Sequence, residues 1–257
     1  MFLGIDIGSS SSKVAVLDEE KKLRAVSVVN LGTGTKAYQQ VMEDALRQAS
    51  ATRKDILFTV ATGYGRNNCA EADKKITEIT CHAKGVKFLS GDARTVIDIG
   101  GQDSKVIRLD HAGCVENFVM NEKCAAGTGR FLEVMARVLG CGLEDLSSMA
   151  DQSVKELSIN NVCTVFAESE VISRLAAGDS IYDVARGAHV AIAKRVAGMC
   201  NRVGYEPKVV MTGGVALNPN LVEALSAELS TPIAVAPYCQ GAGAVGAAVL
   251  AWECYRK

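Results

Sequence analysis

Residues 5–18 read IDIGSSSSKVAVLD and residues 97–110 read IDIGGQDSKVIRLD. The two stretches agree at nine of fourteen positions, namely Ile, Asp, Ile, Gly, Ser, Lys, Val, Leu and Asp. Identity at that density within one chain marks a duplicated structural unit. In each copy a short β-branched apolar run, 2–7 and then 95–99, suits a buried strand and ends in Asp-Ile-Gly followed by small polar residues. Extended patterning resumes at 13–17 and 105–109, so each copy predicts a β-hairpin rather than the strand-to-helix turn of a Walker loop. No GxxxxGK(S/T) occurs.

The turn chemistry suits phosphate oxygens. Gly8 and the pair Gly100 and Gly101 are expected to give close backbone approach and unusual dihedrals, while Ser9, Ser10, Ser11, Ser12 and Ser104 offer hydroxyl and amide donors. Lys13 is the natural countercharge. Asp6 and Asp98, at the strand ends, are of the type that holds a hydrated magnesium ion, because Mg2+ prefers carboxylate and water oxygens. A plain turn-forming Asp-x-Gly competes with this reading at either copy alone; two copies in register tip the balance towards a phosphate-binding pair.

Composition sets the frame. The chain has 257 residues, 48% hydrophobic and 22% charged, enough for two cores of about 120 residues each. A net charge of -1 gives no footprint for nucleic acid or anionic membrane. The first strand begins at once, leaving no room for a signal peptide, and the Gly/Ala-rich stretch 241–252 is too short to span a bilayer, so a cytoplasmic location is expected. Nine cysteines stand singly at 69, 81, 114, 124, 141, 163, 200, 239 and 254, with no CxxC pair. Neither a zinc ribbon nor a ferredoxin-type run is written here, and most of these thiols read as small buried hydrophobes.

Further along, 24–30 predicts a third strand. The Gly-Thr-Gly-Thr run 32–35 leads to a helix over 36–50, whose Ala37, Val41, Ala45 and Leu46 recur at helical spacing. The run 56–61 ends in Thr62-Gly63-Tyr64-Gly65-Arg66, and a helix over 69–84 is expected to close at Gly85. After the second copy, a strand over 115–120 precedes Cys124, which lies in a small-residue loop before an amphipathic helix bearing Phe131, Leu132, Met135, Val138 and Leu139. Cys163 likewise precedes a helix-like stretch, 165–177. Helices over 181–203 and 220–229 flank a strand at 208–211, which ends in Thr212, Gly213, Gly214, Val215 and Ala216. That third glycine turn is of a kind that can lie flat against an adenine or ribose, and taken by itself it reads equally as a simple strand-to-helix turn. A strand at 233–236 and a Gly/Ala helix from Gly243 close the chain; such a helix start approaches its neighbours closely and suits a phosphate or a crossing between lobes.

The duplicated hairpin, the late Gly-Gly turn and the Gly/Ala helix together resemble the actin, sugar-kinase and heat-shock-chaperone ATPase superfamily. A narrower resemblance covers almost the whole chain. TGYGR (62–66), IDIGGQDSK (97–105), KCAAGTGRF (123–131), CTVFAESEVIS (163–173) and MTGGVA (211–216) are similar to the activators, or component A, of 2-hydroxyacyl-CoA dehydratases, within the BadF/BadG/BcrA/BcrD-type ATPases. The resemblance implies an α/β fold of two duplicated actin-like (ribonuclease H-like) lobes, mixed sheets with helices, with nucleotide in the cleft between them. The lobes would be 1–94 with helix 241–257, and 95–240.

It further implies an ATP-driven one-electron donor. Family members are homodimers sharing one 4Fe-4S cluster held by two cysteines from each chain, matching Cys124 and Cys163. A cubane needs four thiolates and two-fold symmetry supplies the missing pair; read without the family pattern, Cys114 and Cys141 stand as equal candidates. ATP or ADP would lie with its phosphates at Ser9–Lys13 and at Gly100, Gly101 and Gln102, with Mg2+ near Asp6 and Asp98. The nucleoside would meet Gly213, Gly214 and Ala216, with Gln240 and Gly243 closing the site. Gln102, Asp103, Glu168 and Glu170 are unranked candidates for orienting the attacking water. The implied partners are ferredoxin or flavodoxin as electron source and an iron-sulfur acceptor, whether a 2-hydroxyacyl-CoA dehydratase, a benzoyl-CoA-type reductase or a double-cubane protein. A small-molecule kinase or a chaperone-like ATPase of the same superfamily is the competing reading.

Overall fold

The computed structural model describes residues 1–33 and 37–256. Gly34, Thr35 and Lys36, which carry part of the expected Gly-Thr run and the expected helix start, lie outside the described residues.

The elements of the first half are strands β1 (Phe2–Ile7), β2 (Ser12–Leu17), β3 (Leu23–Val29), β4 (Phe58–Thr62) and β5 (Lys74–Lys75), with helices α1 (Ala37–Gln48) and α2 (Glu78–Ser90). Then follow β6 (Thr95–Ile99), β7 (Ser104–Leu109), β8 (Val115–Asn121), β9 (Val209–Thr212) and β10 (Ile233–Val235). Between and after them run α3 (Gly129–Leu139), α4 (Asp145–Ala150), α5 (Thr164–Ala176), α6 (Ile181–Val203), α7 (Pro219–Leu229) and α8 (Ala242–Tyr255). One sheet has the order β3-β2-β1-β4-β5 and the other β10-β9-β6-β7-β8. Read from the far edge, the second order is β8-β7-β6-β9-β10, the same connectivity as the first. The duplication in the opening phrase therefore extends through five strands.

The chain divides into two compact units: Met1–Val96 with Leu109–Asn117 and Ala236–Lys257, and Ile97–Arg108 with Phe118–Val235. In the first unit β1 is central, antiparallel to β2 and parallel to β4, and all six of its residues are buried. Side chains alternate across a strand. Leu3, Ile5 and Ile7 join Val41, Met42, Ala45 and Leu46 of α1 in one core, whereas Phe2 joins Cys81, Ala244, Val245, Ala248 and Val249 on the other face. Each fully buried aliphatic contributes roughly 1.5–3 kcal/mol. On the α8 face Gly4 has to stay small: a Cβ there would meet Ala244 O at 2.0 Å.

That close packing corrects the expectation for α2. The helix does not run over 69–84 and stop at Gly85; it starts at Glu78, and Gly85 lies inside it, where a Cβ would stand 1.9 Å from Ala242 O. Gly85 and Gly246 are the contact points that let α2 and α8 touch backbone to backbone. The terminator is Gly91, at φ 63°. Residues 69–77 instead form an irregular crossing that supplies β5.

In the second unit α6 is the buried spine. Its Val184, Ala188, Ile192, Val196 and Met199 are sealed from solvent, as are Phe131, Leu132 and Met135 of α3. Gly140 at φ 68° ends α3 and Gly204 at φ 70° ends α6, each donating back to carbonyls of the last turn as left-handed caps do. Among the described residues no helix is long and apolar enough to cross a membrane.

Candidate functional site

Both hairpins turn the same way. Gly8 N–H donates to Ser11 O at 3.0 Å, and Gly100 N–H to Asp103 O at 2.9 Å. The expectation of unusual dihedrals is corrected here: Gly8 and Gly100 are not among the glycines with positive φ. What they supply is room, since a Cβ would meet Ser11 O at 3.0 Å in the first turn and Asp103 Oδ1 at 2.5 Å in the second. The left-handed glycines stand one strand away. Gly63, after β4, and Gly213, after β9, share φ +88°, and a Cβ on either would run into the residue following the hairpin aspartate, Ile7 O at 2.5 Å and Ile99 O at 2.2 Å. Thr62-Gly63 and Thr212-Gly213 are therefore a second repeated pair. Its sequence signal is Thr-Gly after an apolar run, in both TGYGR and MTGGVA.

In the first unit Asp6 faces Lys13 across the β1–β2 ladder, with Lys13 Nζ 3.4 Å from Asp6 Oδ2. A Cβ on Gly243, in the first turn of α8, would lie 3.0 Å from Asp6 Oδ2. Asp6, Lys13, Gly63 and Gly243 are thus brought together, and Gln240 sits in the single turn Cys239–Gly241 just before α8. The serines divide in role. Ser10 is exposed and Ser9 and Ser11 are half-buried, while Ser12 is buried and its hydroxyl donates to Leu31 O at 2.9 Å. Thr33 ties down the turn from the side, its N–H and Oγ1 both donating to Gly8 O at 2.9 Å.

In the second unit Asp98 is held on both oxygens: Thr212 Oγ1 donates to Oδ1 at 2.8 Å and Lys105 Nζ to Oδ2 at 3.2 Å. Lys105 also pairs with Asp103. Gln102 is exposed at the tip. The turn carrying Gly213, Gly214 and Ala216 continues as a short 3-10 segment, Gly214–Leu217, into α7.

The two sequence-singled cysteines lie on adjoining loops of this unit. Cys124 Sγ is 3.9 Å from Val162 O, the carbonyl just before Cys163, and both thiols are half-exposed. Asn121 Nδ2 donates to Cys124 O at 2.9 Å and to Ala126 O at 3.0 Å, shaping the first loop. Cys163 is the N-cap residue of α5; Asn160 Oδ1 accepts from its N–H at 3.1 Å, and Glu170 accepts from Asn160 N–H at 2.9 Å. Glu170 therefore braces the cysteine loop, and Glu168 pairs with Arg137 at 2.8 Å. Cys141 and Cys114 sit elsewhere, at the end of α3 and after β7. Burial pushes the Cys81 and Cys200 thiols up to about 12 and Cys69 to about 11, which makes them inert as ligands or nucleophiles. Among the described residues no three His, Cys, Asp or Glu side chains converge on one point. A chain with two adjoining half-exposed thiols, each in a loop leading to a helix N-terminus, fits half of a four-thiolate site.

Hairpin 2 is bonded directly to the segment that carries Cys124. Gly129 N–H donates to Gly100 O at 2.9 Å and Arg130 N–H to Gly101 O at 2.8 Å. Gly129 has no space to spare: a Cβ would stand 3.1 Å from Gly100 O and 3.3 Å from Val215 Cγ2. The start of α3, five residues past Cys124, is thereby fastened to the turn of the second hairpin.

The model of the BadF/BadG/BcrA/BcrD ATPase family matches residues 3–251. The chain is 51% identical over 255 residues to the activator of lactoyl-CoA dehydratase of Anaerotignum propionicum, covering 99% of this chain and 98% of that one. The solved activator of the 2-hydroxyisocaproyl-CoA dehydratase from Clostridium difficile with bound ADPNP superposes with a TM-score of 0.94 at 46% identity, over 100% of this chain and 96% of that chain. A ROK family glucokinase from Streptomyces griseus, at 14% identity and a TM-score of 0.60 over 98% of this chain and 99% of that chain, shares the fold alone.

Proposed function

The chain belongs to the BadF/BadG/BcrA/BcrD ATPase family, and on that premise we propose that it is an ATP-dependent one-electron donor that activates an iron-sulfur partner enzyme. In this reading ATP and water give ADP and phosphate, while one electron enters from reduced ferredoxin or flavodoxin and leaves to the partner. That partner is a 2-hydroxyacyl-CoA dehydratase or a related reductase. Two copies pair to hold one 4Fe-4S cluster on Cys124 and Cys163 of each chain. The cluster supplies a low-potential one-electron carrier whose potential follows its solvent exposure and hydrogen bonds.

Lys13, Ser9, Ser10 and Ser11 meet the triphosphate through hydroxyl, amide and ammonium donors, and Gly100, Gly101 and Gln102 do so from the second hairpin. Ser12 keeps the first turn shaped through Leu31. Asp6 takes Mg2+ through oxygen or water, with Asp98 as the second carboxylate. Gly213, Gly214 and Ala216 face the nucleoside, and Gln240 and Gly243 stand beside it at the start of α8. Gln102, exposed at the tip of its turn, is favoured over Glu168 for orienting water, since the Glu168 carboxylate is taken up by Arg137.

The observation that carries the coupling is the pair of hydrogen bonds from Gly129 and Arg130 to Gly100 and Gly101. Any change in the phosphate turn on hydrolysis pulls on the first turn of α3 and hence on the Cys124 loop. The test is anaerobic purification with full iron and sulfide supply. A brown dimer with about four irons per two chains, bleached by dithionite and reducing its acceptor only with ATP, is expected. A colourless monomer, or one that phosphorylates a small molecule without iron, overturns the proposal.

A further inference from the structure

We propose that His189, buried in α6, is a positioning residue for the nucleoside: its unprotonated Nε2 holds the Asn218 amide and so fixes the turn 213–218. This rests on the assignment of that turn to the nucleoside.

The hydrogen-bond logic leaves one arrangement. His189 is fully sealed from solvent, and its Nδ1 is 2.7 Å from Ala185 O. A carbonyl only accepts, so Nδ1 carries the proton and Nε2 presents a lone pair. Asn218 Nδ2 is 2.9 Å from that Nε2. The amide orientation is fixed from its other end, because Asn218 Oδ1 accepts from Leu221 N–H at 3.0 Å as the N-cap of α7. Asn218 N–H in turn closes on Val215 O at 3.0 Å. One residue is thus tied to the turn before it, the helix after it and the spine beneath it, and the imidazole is the tie that reaches the buried interior.

The surroundings keep that ring neutral. Burial lowers the His189 pKa, and Arg186, one turn back on α6, adds to the effect, with the Ala185 carbonyl, the Asn218 side chain and Asp151 acting the other way. Arg186 Nη1 donates to Asn220 Oδ1 at 2.6 Å, and Asn220 Nδ2 donates to Asp151 Oδ1 at 2.7 Å, so the neighbouring charges are themselves engaged. A buried imidazole is tolerated only when both nitrogens are satisfied. Here the second nitrogen is satisfied by the nucleoside turn. Protonation at Nε2 would set donor against donor, and a flip of the Asn218 amide to relieve this would remove the α7 cap. A ring locked in this state holds the turn in one shape before nucleotide arrives, which lowers the ordering cost of binding.

The chain has three histidines, so selective labelling reads this ring directly. In the full-length chain purified anaerobically with 15N-histidine, the His189 signal, assigned by its loss in His189→Gln, is expected to be the Nδ1–H tautomer. Its Nε2 resonance is expected to move on saturation with Mg-ADP. In kinetics, His189→Phe is expected to raise the ADP Kd and the ATP KM about tenfold with kcat within about twofold, and His189→Gln, whose amide oxygen accepts from Asn218, to recover most of that loss. An Nε2–H tautomer, an Nε2 resonance unmoved at saturating ADP, or wild-type KM in His189→Phe overturns the inference. If His189→Phe does not fold, the spectrum of the unaltered chain still decides. Failure of ADP to bind the unaltered chain sinks the nucleotide assignment itself, whereas ADP binding without a response at His189 sinks this inference alone.

Discussion

Lys105 Nζ lies 3.2 Å from Asp98 Oδ2, with both side chains all but sealed at 3% and 4% exposure. The equivalent pair in the first copy, Lys13 and Asp6, is looser at 3.4 Å, and Lys13 keeps 15% of its side chain exposed. One residue makes the difference. Asp103 adds a second carboxylate to Lys105, and the position that matches it in the first hairpin is Ser11. The two copies therefore differ: the second lysine is shared by two carboxylates of its own hairpin, whereas the first pairs with Asp6 and keeps part of its side chain exposed.

Substitution should separate the two lysines. Lys105→Met leaves two carboxylates facing each other in a closed site and is expected to cost about 3–5 kcal/mol of stability. Lys13→Ala removes a partly solvated partner, so its unfolding midpoint should move little while ADP affinity falls more than about tenfold. Urea unfolding and ADP titration of both variants check this. The reverse pattern would assign the phosphate charge to Lys105.

Gly129→Ala tests the proposed coupling between the second hairpin turn and the cysteine loop. The added methyl would press on Gly100 O at 3.1 Å and Gly101 Cα at 3.3 Å, contacts too close to keep without a shift in α3. Iron content and ADP affinity should stay near those of the unaltered chain, while ATP-dependent reduction of the acceptor falls about tenfold or more. Unchanged electron delivery would mean that the two hydrogen bonds carry no signal.

The hairpins were legible because strand period and turn chemistry are local, and the repeat in 97–110 doubled the signal. The strands β1, β2, β6 and β7 stand where alternation and apolar runs put them. What failed was anything decided by a distant partner. Gly85 looks like a helix stop in sequence, yet it is the point where α8 comes within backbone contact, and only α8 reveals that. The short β5 owes its pairing to β4 rather than to its own Lys-Lys composition. The brace from Glu170 through Asn160 to Cys163 spans ten residues and two different elements, and no periodicity announces it. The shared Thr-Gly turns at 62–63 and 212–213 were visible as strings, but their equivalence shows only through their common φ and their common contact with the residue after the hairpin aspartate.

Thiol chemistry should sort the cysteines by depth. Burial holds Cys81 and Cys200 near 12, so iodoacetamide at pH about 8 should leave them unmodified in the native chain. Cys124 and Cys163 are half-exposed and should react in iron-free protein, and iron loading should shield both. Mass mapping of the labelled peptides reads the outcome. Labelling of Cys124 or Cys163 in fully iron-loaded dimer would remove that residue from the ligand set.

Asp183, in the first turn of α6, should make the loop after α4 sensitive to acid. Its Oδ1 accepts from Ser153 Oγ at 2.9 Å, Val154 N–H at 2.9 Å and Lys155 N–H at 3.0 Å. The Lys155 and Val154 amides hold its pKa below the ordinary 3.8. A lowered folded value means a stabilising contribution that is complete above the unfolded pKa and is lost as pH falls through the folded one. Asp183→Asn should therefore unfold at lower urea than the unaltered chain at pH 7, and the gap should close as the pH falls through the lowered folded value. A gap that stays constant with pH would show that the carboxylate charge plays no part.

Two glycine-to-alanine changes in helices should have opposite signs. Alanine at a helix interior is favoured over glycine by about 1 kcal/mol when nothing else intervenes. At Gly198, within α6, a Cβ would meet nothing within 4 Å, so Gly198→Ala should raise stability by up to about that amount. At Gly246 the same atom would lie 1.7 Å from Cys81 O and 2.7 Å from Gly85 N. Neither is a side chain that can swing away, so α2 and α8 would have to separate along their shared face and β1 would lose the cover over Gly4. Overpacking of this kind typically costs 1–3 kcal/mol, and backbone against backbone puts Gly246→Ala at or beyond about 3 kcal/mol. Thermal unfolding of the two variants side by side reads both signs in one experiment. A stable Gly246→Ala would show that α8 does not need its glycines to reach the sheet.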